Sequence, residues 1–198
     1  MNRLIKPIFE SWRSDFTRVI DCGYDVDIYD EILASVIDGD IMQPLNTGGE
    51  SFVWKHIDGD KVVKSTSTRL LGVSCDYEVN ADFWCRSLKT YNKVFPESKI
   101  TPIAFCIIEN DSSYFMTTQK FIEGVDATEE EIRRDLRKRG FRPCKNKETG
   151  YSRNIYFDGY YLIDDVRESN VIKSGGEFYY IDVGCYIVNN PDNYEFID

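Results

Sequence analysis

Three polar residues in the last third of the chain have the types and spacing for chemistry on a phosphate group. Asp165 is followed five positions later by Asn170, and Asp182 begins an Asp-x-Gly string that ends at Gly184. A carboxylate can orient a hydroxyl nucleophile, and an amide with a second carboxylate can hold Mg²⁺, which prefers oxygen ligands. The pattern predicts a phosphoryl-transfer site, although Asp and Asn taken singly are also common turn residues.

A glycine turn predicts how these side chains meet. Val171-Ile172 leads into Ser174-Gly175-Gly176, and Phe178-Tyr179-Tyr180-Ile181 leads out. Glycine supplies the positive φ of a tight turn, so this stretch predicts an antiparallel hairpin. Asn170 precedes the first strand and Asp182 follows the second, and such strand ends are neighbours.

At these positions the chain resembles the protein-kinase-like superfamily, and within it the small kinase-like domains of polyvalent proteins from phages and conjugative elements. The string Ile163-Asp164-Asp165-Val166-Arg167-Glu168-Ser169-Asn170 matches His-Arg-Asp-Leu-x-x-x-Asn at its functional Asp and Asn, and Asp182-Val183-Gly184 matches Asp-Phe-Gly. The resemblance implies that Asp165 is the catalytic base, that Asn170 is catalytic and binds metal, and that Asp182 binds Mg²⁺.

The chain departs from the kinase pattern in two ways. Ile163 and Asp164 replace the usual His and Arg, and Val183 replaces Phe. Because the Arg is missing, control through a phosphorylated activation loop is not expected. Only residues 185–198 follow Gly184, too few for the helices with which a full kinase binds a peptide. We therefore expect a small acceptor, a protein partner that completes the acceptor site, or a domain that no longer catalyses transfer.

The resemblance also implies a phosphate-covering loop at Asn46-Thr47-Gly48-Gly49-Glu50-Ser51-Phe52-Val53, in which Asn46 and Ser51 replace glycines. Backbone N–H groups of such a loop can approach phosphate oxygens. The implied nucleotide-binding residues here are Gly48, Gly49, Ser51 and Val53. An ordinary Gly-Gly turn would explain this segment alone equally well.

Further nucleotide contacts are implied at Lys64, Glu78 and Phe121, and Lys64 is also implied to be catalytic. Lys64 closes Lys61-Val62-Val63-Lys64, which is similar to the Val-Ala-Ile-Lys strand whose Lys binds phosphates, and Glu78 would hold it. The segment Gln119 to Gly124 resembles the hinge between kinase lobes, so the backbone around Phe121 would bind the adenine of ATP. The alternatives are a solvated Lys on a strand edge and a surface Glu near a helix N-terminus.

The predicted fold is α+β: a truncated, two-lobed protein-kinase-like fold with an antiparallel sheet and one packed helix in the N-lobe and a minimal C-lobe. The predicted divisions are a helical extension over 1–44, which caps the N-lobe or binds a partner, an N-lobe over 45–122, and a C-lobe over 123–198. Apolar runs and spacing predict strands over 50–57, 61–65, 100–106 and 114–122, and a helix over 75–94. Pro102 predicts that strand 100–106 is irregular or lies at an edge.

In the last third of the chain, start and stop signals predict a helix over 128–139. The start signal is a capping box between Thr128 and Glu131, and the stop signal is Gly140. A hairpin is predicted with strands 155–157 and 160–163 around Asp158-Gly159. Residues 145–152 should form a polar loop, and residues 189–193 a loose end.

Composition disfavours several classes of function. The net charge of −10 argues against non-specific nucleic-acid binding and against docking on anionic membranes. No apolar run approaches the roughly 20 residues that span a bilayer, and the first residues lack a secretory core, so a cytoplasmic protein is expected. The six cysteines form no C-x-x-C pair and His56 is the single histidine, which argues against zinc sites and His-dependent hydrolysis.

Three hypotheses follow from the sequence. The first is a phosphotransferase dependent on ATP and Mg²⁺, which moves the γ-phosphoryl group to a hydroxyl acceptor. The second is a pseudokinase-like nucleotide-binding or protein-interaction module of a mobile element, which keeps the fold for regulation or assembly. The third is a structural domain of a mobile-element protein. The Lys, Asp, Asn and Asp set favours the first, and the substituted glycine loop with the short C-terminal segment favours the second.

Overall fold

The computed structural model describes residues 27–29, 42–47, 51–56, 59–67, 81–108 and 112–197. These belong to two compact units, the first drawn from 1–86 and 100–121 and the second from 87–99 and 122–198. The division into 1–44, 45–122 and 123–198 stays a prediction.

The first unit contains a six-stranded sheet with the order β1-β5-β6-β4-β3-β2. All neighbouring strands are antiparallel except β1 and β5, which are parallel. The strands predicted near 50–57, 61–65, 100–106 and 114–122 are confirmed. The bounds are β1 (Asp27–Tyr29), β2 (Met42–Thr47), β3 (Ser51–His56), β4 (Lys61–Ser67), β5 (Ile100–Ile108) and β6 (Ser112–Lys120).

The prediction of a helical segment over 1–44 is wrong where the structure describes it. Asp27–Tyr29 is a strand that pairs with β5, and β2 begins at Met42. Both strands depend on partners elsewhere in the sheet, and such tertiary pairing overrides a local helical pattern. The rest of 1–44 lies outside the described residues.

Pro102 interrupts β5 as expected. The register of β5 with β6 shifts between Pro102 and Ala104, which confirms the prediction of an edge or irregular strand through its second alternative. β5 lies between β1 and β6, but β1 pairs with Ala104, Phe105 and Cys106. Pro102 therefore lies outside the stretch of β5 that pairs with β1, where its missing N–H group costs no hydrogen bond to β1.

Helix α1 (Ala81–Val94) confirms the later part of the helix predicted over 75–94, and residues 75–80 lie outside the described residues. Cys85, Leu88 and Tyr91 recur at three-residue spacing and are buried, as expected for one face of a helix. Buried Phe95 follows, and then a short 3₁₀ helix, Pro96–Ser98.

Helix α2 (Glu129–Lys138) lies near the start of residues 122–198, the larger part of the second unit. The predicted capping box is confirmed, since the Thr128 hydroxyl accepts from the Glu131 N–H and the Glu131 carboxylate accepts from the Thr128 N–H at 3.1 Å. These bonds satisfy two N–H groups that a helix start would otherwise leave unpaired. The chain leaves the helix at Gly140, whose φ of 93° suits glycine.

Two small sheets complete the second unit. One has five strands in the order β13-β10-β9-β8-β14, and the other has three in the order β12-β11-β7. The hairpins predicted around Asp158-Gly159 and Gly175-Gly176 are confirmed as β9–β10 and β11–β12. The bounds are β7 (Val125–Asp126), β8 (Arg142–Asn146), β9 (Tyr156–Phe157), β10 (Tyr161–Asp164), β11 (Val171–Ser174), β12 (Glu177–Tyr180), β13 (Gly184–Ile187) and β14 (Tyr194–Phe196).

Two predictions about loops in this unit are wrong. The polar loop predicted over 145–152 begins later, because Lys145 and Asn146 are the last residues of β8. The segment 189–193 is not a loose end, since the Asn193 carbonyl accepts from the Lys147 N–H at 2.8 Å and β14 then pairs with β8. Polar composition predicted irregular structure in both segments, but their backbones form hydrogen bonds with residues distant in sequence.

The helices of the described residues are short. α1 has 14 residues and α2 has 10. Within the ranges that the structure describes, no helix has the length and apolar character to cross a bilayer.

Candidate functional site

The loop that carries Asp165 links β10 to a 3₁₀ helix, Glu168–Asn170, which leads into β11. Asp165 has a φ of 52°, in the left-handed region that Asp and Asn adopt more readily than most residues. The next residue, Val166, donates its N–H to the Asn154 carbonyl at 3.1 Å. The loop is therefore held in a turn that exposes about half of the Asp165 side chain.

Asn170 lies at the centre of the site and is only 4% exposed. Its amide nitrogen Nδ2 is 2.9 Å from both the backbone O and Oδ2 of Asp165, and 2.7 Å from the backbone O of Asp182. The backbone carbonyl of Asn170 accepts from the Ile181 N–H at 2.9 Å. The structure thus brings Asp165, Asn170 and Asp182 together, while their chemical roles stay a prediction.

The orientation of the Asn170 amide leaves its side-chain oxygen available as an acceptor. Because Nδ2 donates to Asp165 and Asp182, Oδ1 is the remaining end, and its contact with the Ser169 hydroxyl is long, at 3.5 Å. This oxygen and those of the exposed Asp182 carboxylate are of the type that Mg²⁺ prefers as ligands. In the described part of the chain, no group of three or more His, Cys, Asp or Glu could hold a metal ion.

The Asp165 carboxylate is held at one oxygen. The Arg167 guanidinium lies 3.2 Å from Oδ2, the same atom that accepts from Asn170. Both carboxylate contacts found within the described residues use Oδ2. Oδ1 is therefore the oxygen available to accept a hydrogen bond from a ligand.

Helix α2 fixes the loop from the other side. The Glu168 carboxylate accepts from the Glu129 N–H at 3.0 Å, so a loop side chain caps the first turn of the helix. The Ala127 N–H donates to the Val171 carbonyl at 2.8 Å. A side chain at Gly124 would collide with the Lys173 carbonyl, so this close approach of β7 to β11 requires glycine.

The hairpin after Asn170 has the two-residue turn that the sequence predicts. Val171 pairs with Tyr180 and Ser174 with Glu177, with Gly175 and Gly176 at φ values of 59° and 88°. Positive φ at both central residues marks a type I′ turn, whose twist matches the strands. The hairpin returns the chain beside Asn170, which places Asp182.

An ion pair ties this hairpin to helix α2. The Lys173 ammonium contacts the Glu131 carboxylate. This hydrogen bond and the one from the Thr128 N–H lower the pKa of Glu131 to about 2, so that carboxylate is ionised at neutral pH.

Asp164 lies directly behind the loop and faces β13. Its carboxyl group accepts from the Tyr186 hydroxyl and from the Gly184 N–H, and Asp164 pairs with Gly184 in the β10–β13 register. Burial, followed by the nearby charge of Asp165, raises the pKa of Asp164 to about 6 despite these hydrogen bonds.

The site residues predicted in the first unit are described in part. Val53 and Lys64 lie opposite each other on β3 and β4, so their side chains share one face of the sheet, and Ser51 begins β3. Phe121 donates its N–H to the Asp60 carbonyl at 2.6 Å. Gly48, Gly49 and Glu78, and with Glu78 the predicted Lys64 pair, lie outside the described residues.

A family model described as "Serine/Threonine/Tyrosine Kinase found in polyvalent proteins" matches residues 12–189. The chain belongs to this family. The expected membership in the kinase-like domains of polyvalent proteins is therefore confirmed, as is the α+β fold class. Amicoumacin kinase hAmiN, solved in complex with AMP-PNP, Ca²⁺ and Ami, is 10% identical with a TM-score of 0.44, over 99% of this chain and 68% of that chain. No curated protein matches the chain.

Sequence reasoning missed three residues of the site in this polyvalent-protein kinase domain. Arg167 and Glu168 stand inside the matched string, and their charges two and three positions after Asp165 were the available signal. Asp164 was noted only as a replacement for Arg. Its contact with Gly184 depends on the pairing of β10 with β13, which no local pattern specifies.

Proposed function

We propose that this kinase domain binds ATP with Mg²⁺ and transfers the γ-phosphoryl group to a hydroxyl acceptor. The observation that supports it best is the Asn170 amide, which joins the Asp165 carboxylate to the Asp182 backbone. Phosphoryl transfer depends mainly on positioning and on charge stabilisation. A buried amide that fixes both carboxylate-bearing segments suits that requirement.

In this proposal Asp165 orients the acceptor hydroxyl and takes its proton. Arg167 and Asn170 hold Oδ2, so that the Oδ1 of the half-exposed side chain accepts the hydrogen bond. The role of Arg167 here is to position Asp165.

The remaining residues would bind Mg·ATP. Asn170 Oδ1 and Asp182 would hold the cation, which when bound neutralises charge on the phosphates. Lys64, held by Glu78, would bind the phosphates, with Gly48, Gly49, Ser51 and Val53 beside them. Adenine would bond to the backbone around Phe121 through groups other than the Phe121 N–H, because that group donates to Asp60.

A second candidate is a nucleotide-binding module without transfer activity, in a cytoplasmic protein of a mobile element. The described residues after Gly184 favour it, since they form β13, a 3₁₀ helix and β14, and both strands belong to the five-stranded sheet. They are not the substrate-binding helices of a full kinase. In either proposal, a protein partner would complete the acceptor site.

Thermal unfolding with ATP, with and without Mg²⁺, tests nucleotide binding. A ligand that binds the native state raises the melting temperature by mass action. We expect a rise that depends on Mg²⁺ and is lost in Asp182→Ala. The matched control is Asp192→Ala, an exposed Asp of the same unit, which should keep the full rise. No rise with ATP in the unmodified protein would refute both candidate functions.

ATP turnover separates the two candidates. Asp165→Asn is the sharpest variant, because Asn tolerates the left-handed backbone of this position and retains a side-chain oxygen. For the enzyme, this change should lower turnover by about 10²-fold or more while nucleotide binding persists. Binding of Mg·ATP by the unmodified protein with no turnover would favour the module.

A further inference from the structure

Asp164 forms a second connection between the two loops of the site, independent of Asn170. Its backbone continues directly into Asp165, and its carboxyl group binds the Gly184 N–H, two residues beyond Asp182. The Tyr186 hydroxyl donates to the same carboxyl group. One side chain therefore joins the start of one loop to the end of the other.

The space around Gly184 is built for this contact. A Cβ atom at Gly184 would collide with Asp164 Oδ1 and with the Tyr186 hydroxyl, and would lie 2.8 Å from Tyr186 Cζ. Gly184 is therefore required by the closeness of the carboxyl group. The last position of the Asp-x-Gly string is explained here by packing against Asp164.

The segment that carries Asp182 is held by a hydrogen bond on each side of Asp182. Residues 181–183 lie between β12 and β13 and belong to neither strand. The Ile181 N–H and the Asp182 carbonyl bond to Asn170 on one side, and the Gly184 N–H bonds to Asp164 on the other. Asp182 is thus bracketed between two buried or half-buried polar side chains.

A carboxyl group at position 164 lowers the stability of the folded state more than an apolar side chain would. It is half-buried, it lies beside the charge of Asp165, and a buried charge without a cationic partner destabilises the fold. A carboxyl group does provide two acceptor oxygens for the Gly184 and Tyr186 donors. That capacity is what the site uses.

We propose that Asp164 is a positioning residue, which sets the place of Asp182 relative to Asp165 by holding Gly184 and Tyr186. The inference rests on the proposed function for its consequence, a properly placed Mg²⁺ ligand, and on its own geometry for the contact. Loss of the Asp164 carboxyl group should leave the Asp182 carboxylate present but free to move. Mg²⁺-dependent binding should then weaken, whereas binding of nucleotide alone should persist.

The first experiment measures the contact without any nucleotide. Hydrogen exchange of the Gly184 amide should be about tenfold faster or more in Asp164→Ala, because the amide loses its acceptor. The matched control is Asp158→Ala, which removes a turn at the other end of β10, where Asp158 Oδ1 accepts from the Tyr160 and Tyr161 N–H groups at 2.7 and 2.6 Å. Unchanged exchange at Gly184 in Asp164→Ala, or an equal acceleration in Asp158→Ala, would overturn the proposal.

The second experiment measures the concentration of Mg²⁺ that gives half-maximal ATP binding, by titration calorimetry on folded protein. We expect an increase of about fivefold or more in Asp164→Ala, a return towards the original value in Asp164→Asn, and no change in Asp158→Ala. If the original protein binds Mg·ATP and Asp164→Ala has the same Mg²⁺ requirement, the inference fails while the proposed function stands. If the original protein binds no ATP, the proposed function fails, and the exchange measurement still decides the contact.

A variant with a smaller change protects the test against misfolding. Tyr186→Phe keeps the ring and removes only the hydroxyl donor. It should raise the Mg²⁺ requirement in the same direction, by about twofold to threefold. If Asp164→Ala does not fold and Tyr186→Phe changes neither the Gly184 exchange nor the Mg²⁺ requirement, the proposal is wrong.

Discussion

The Asn170 amide nitrogen lies 2.9 Å from Asp165 Oδ2 and 2.7 Å from the Asp182 carbonyl oxygen. A single buried side chain thus connects a residue five positions before it in sequence with one 12 positions after it. The same contacts that align the proposed catalytic groups also stabilise the second unit. Stability and function can therefore be tested with the same substitutions.

Asn170→Ala should lower the free energy of unfolding by about 2–3 kcal/mol, because buried donors and acceptors lose their partners. Urea denaturation followed by intrinsic fluorescence measures this change. Asn190→Ala is the control, since the exposed Asn190 amide donates only to Asn193 Oδ1 at 2.8 Å. That change should alter the free energy by about 0.5 kcal/mol or less. Equal losses for the two variants would contradict a central role for Asn170.

Asp164→Asn should stabilise the protein at neutral pH but not in acid. The pKa of Asp164 is raised from 3.8 to about 6, so the folded state binds this proton more tightly than the unfolded state. The stability that protonated Asp164 contributes is fully present below about pH 3.8 and is lost as the pH rises through about 6. Because Asn resembles the neutral acid, the melting temperature of the variant should exceed the original above pH 6 and match it near pH 4.

Melting temperatures from pH 4 to pH 8 check this expectation. The exposed residue Asp192 provides the control, since Asp192→Asn should give a difference that does not change across the range. The raised pKa would be contradicted if the difference in melting temperature between Asp164→Asn and the original protein stayed constant or became smaller as the pH rises.

Gly184→Ala and Asp164→Ala should have strongly non-additive effects. Gly184→Ala alone should destabilise by about 1–3 kcal/mol, because the new Cβ collides with the Asp164 carboxyl group and with Tyr186. Removing the carboxyl group relieves part of the collision. A double-mutant cycle from denaturation curves should therefore give a coupling of about 1 kcal/mol or more. Additive losses would show that the two residues do not share this space.

Arg139→Ala should destabilise the second unit by about 2 kcal/mol or more. The Arg139 guanidinium lies 2.7 Å from Glu97 and 2.8 Å from Asp135, and over the rings of Phe95 and Tyr180. These partners come from three separate segments, and the half-buried acids would be left without a cation. Chemical denaturation measures the loss.

Arg134→Ala is the comparison for Arg139. Arg134 also pairs with a carboxylate four residues earlier, Glu130 at 2.8 Å, but both side chains are exposed. Such surface pairs contribute about 0.5 kcal/mol or less. If Arg134→Ala and Arg139→Ala lower the free energy of unfolding equally, the partly buried contacts of Arg139 do not add to stability.

Local sequence patterns predicted the elements that are formed by residues close together in the chain. The turn at Gly175-Gly176 and the capping box of Thr128 and Glu131 are formed by neighbours in the chain, so residue types alone specified them. The meeting of Asn170 and Asp182 followed from that turn. These features account for most of the site that could be foreseen.

Features that depend on distant partners could not be foreseen in the same way. Asp27–Tyr29 pairs with β5 and Tyr194–Phe196 with β8, and neither segment has a local pattern that names its partner. The approach of Asp164 to Gly184 depends equally on the register of β10 with β13. Each was missed because strand pairing over long sequence separation is decided by the assembled sheet.

The pairing of β14 with β8 also has a practical consequence for shortened versions of this protein. Tyr194 and Phe196 both contact the ring of Phe157, with centroids 5.4 and 5.9 Å apart. Truncation before Tyr194 would strip an aromatic cover from a buried phenyl ring and open the edge of β8 to pairing between molecules. Such a fragment should precipitate or self-associate on expression, whereas a chain that ends after Ile197, whose N–H donates to the Pro143 carbonyl at 3.0 Å, should remain monodisperse.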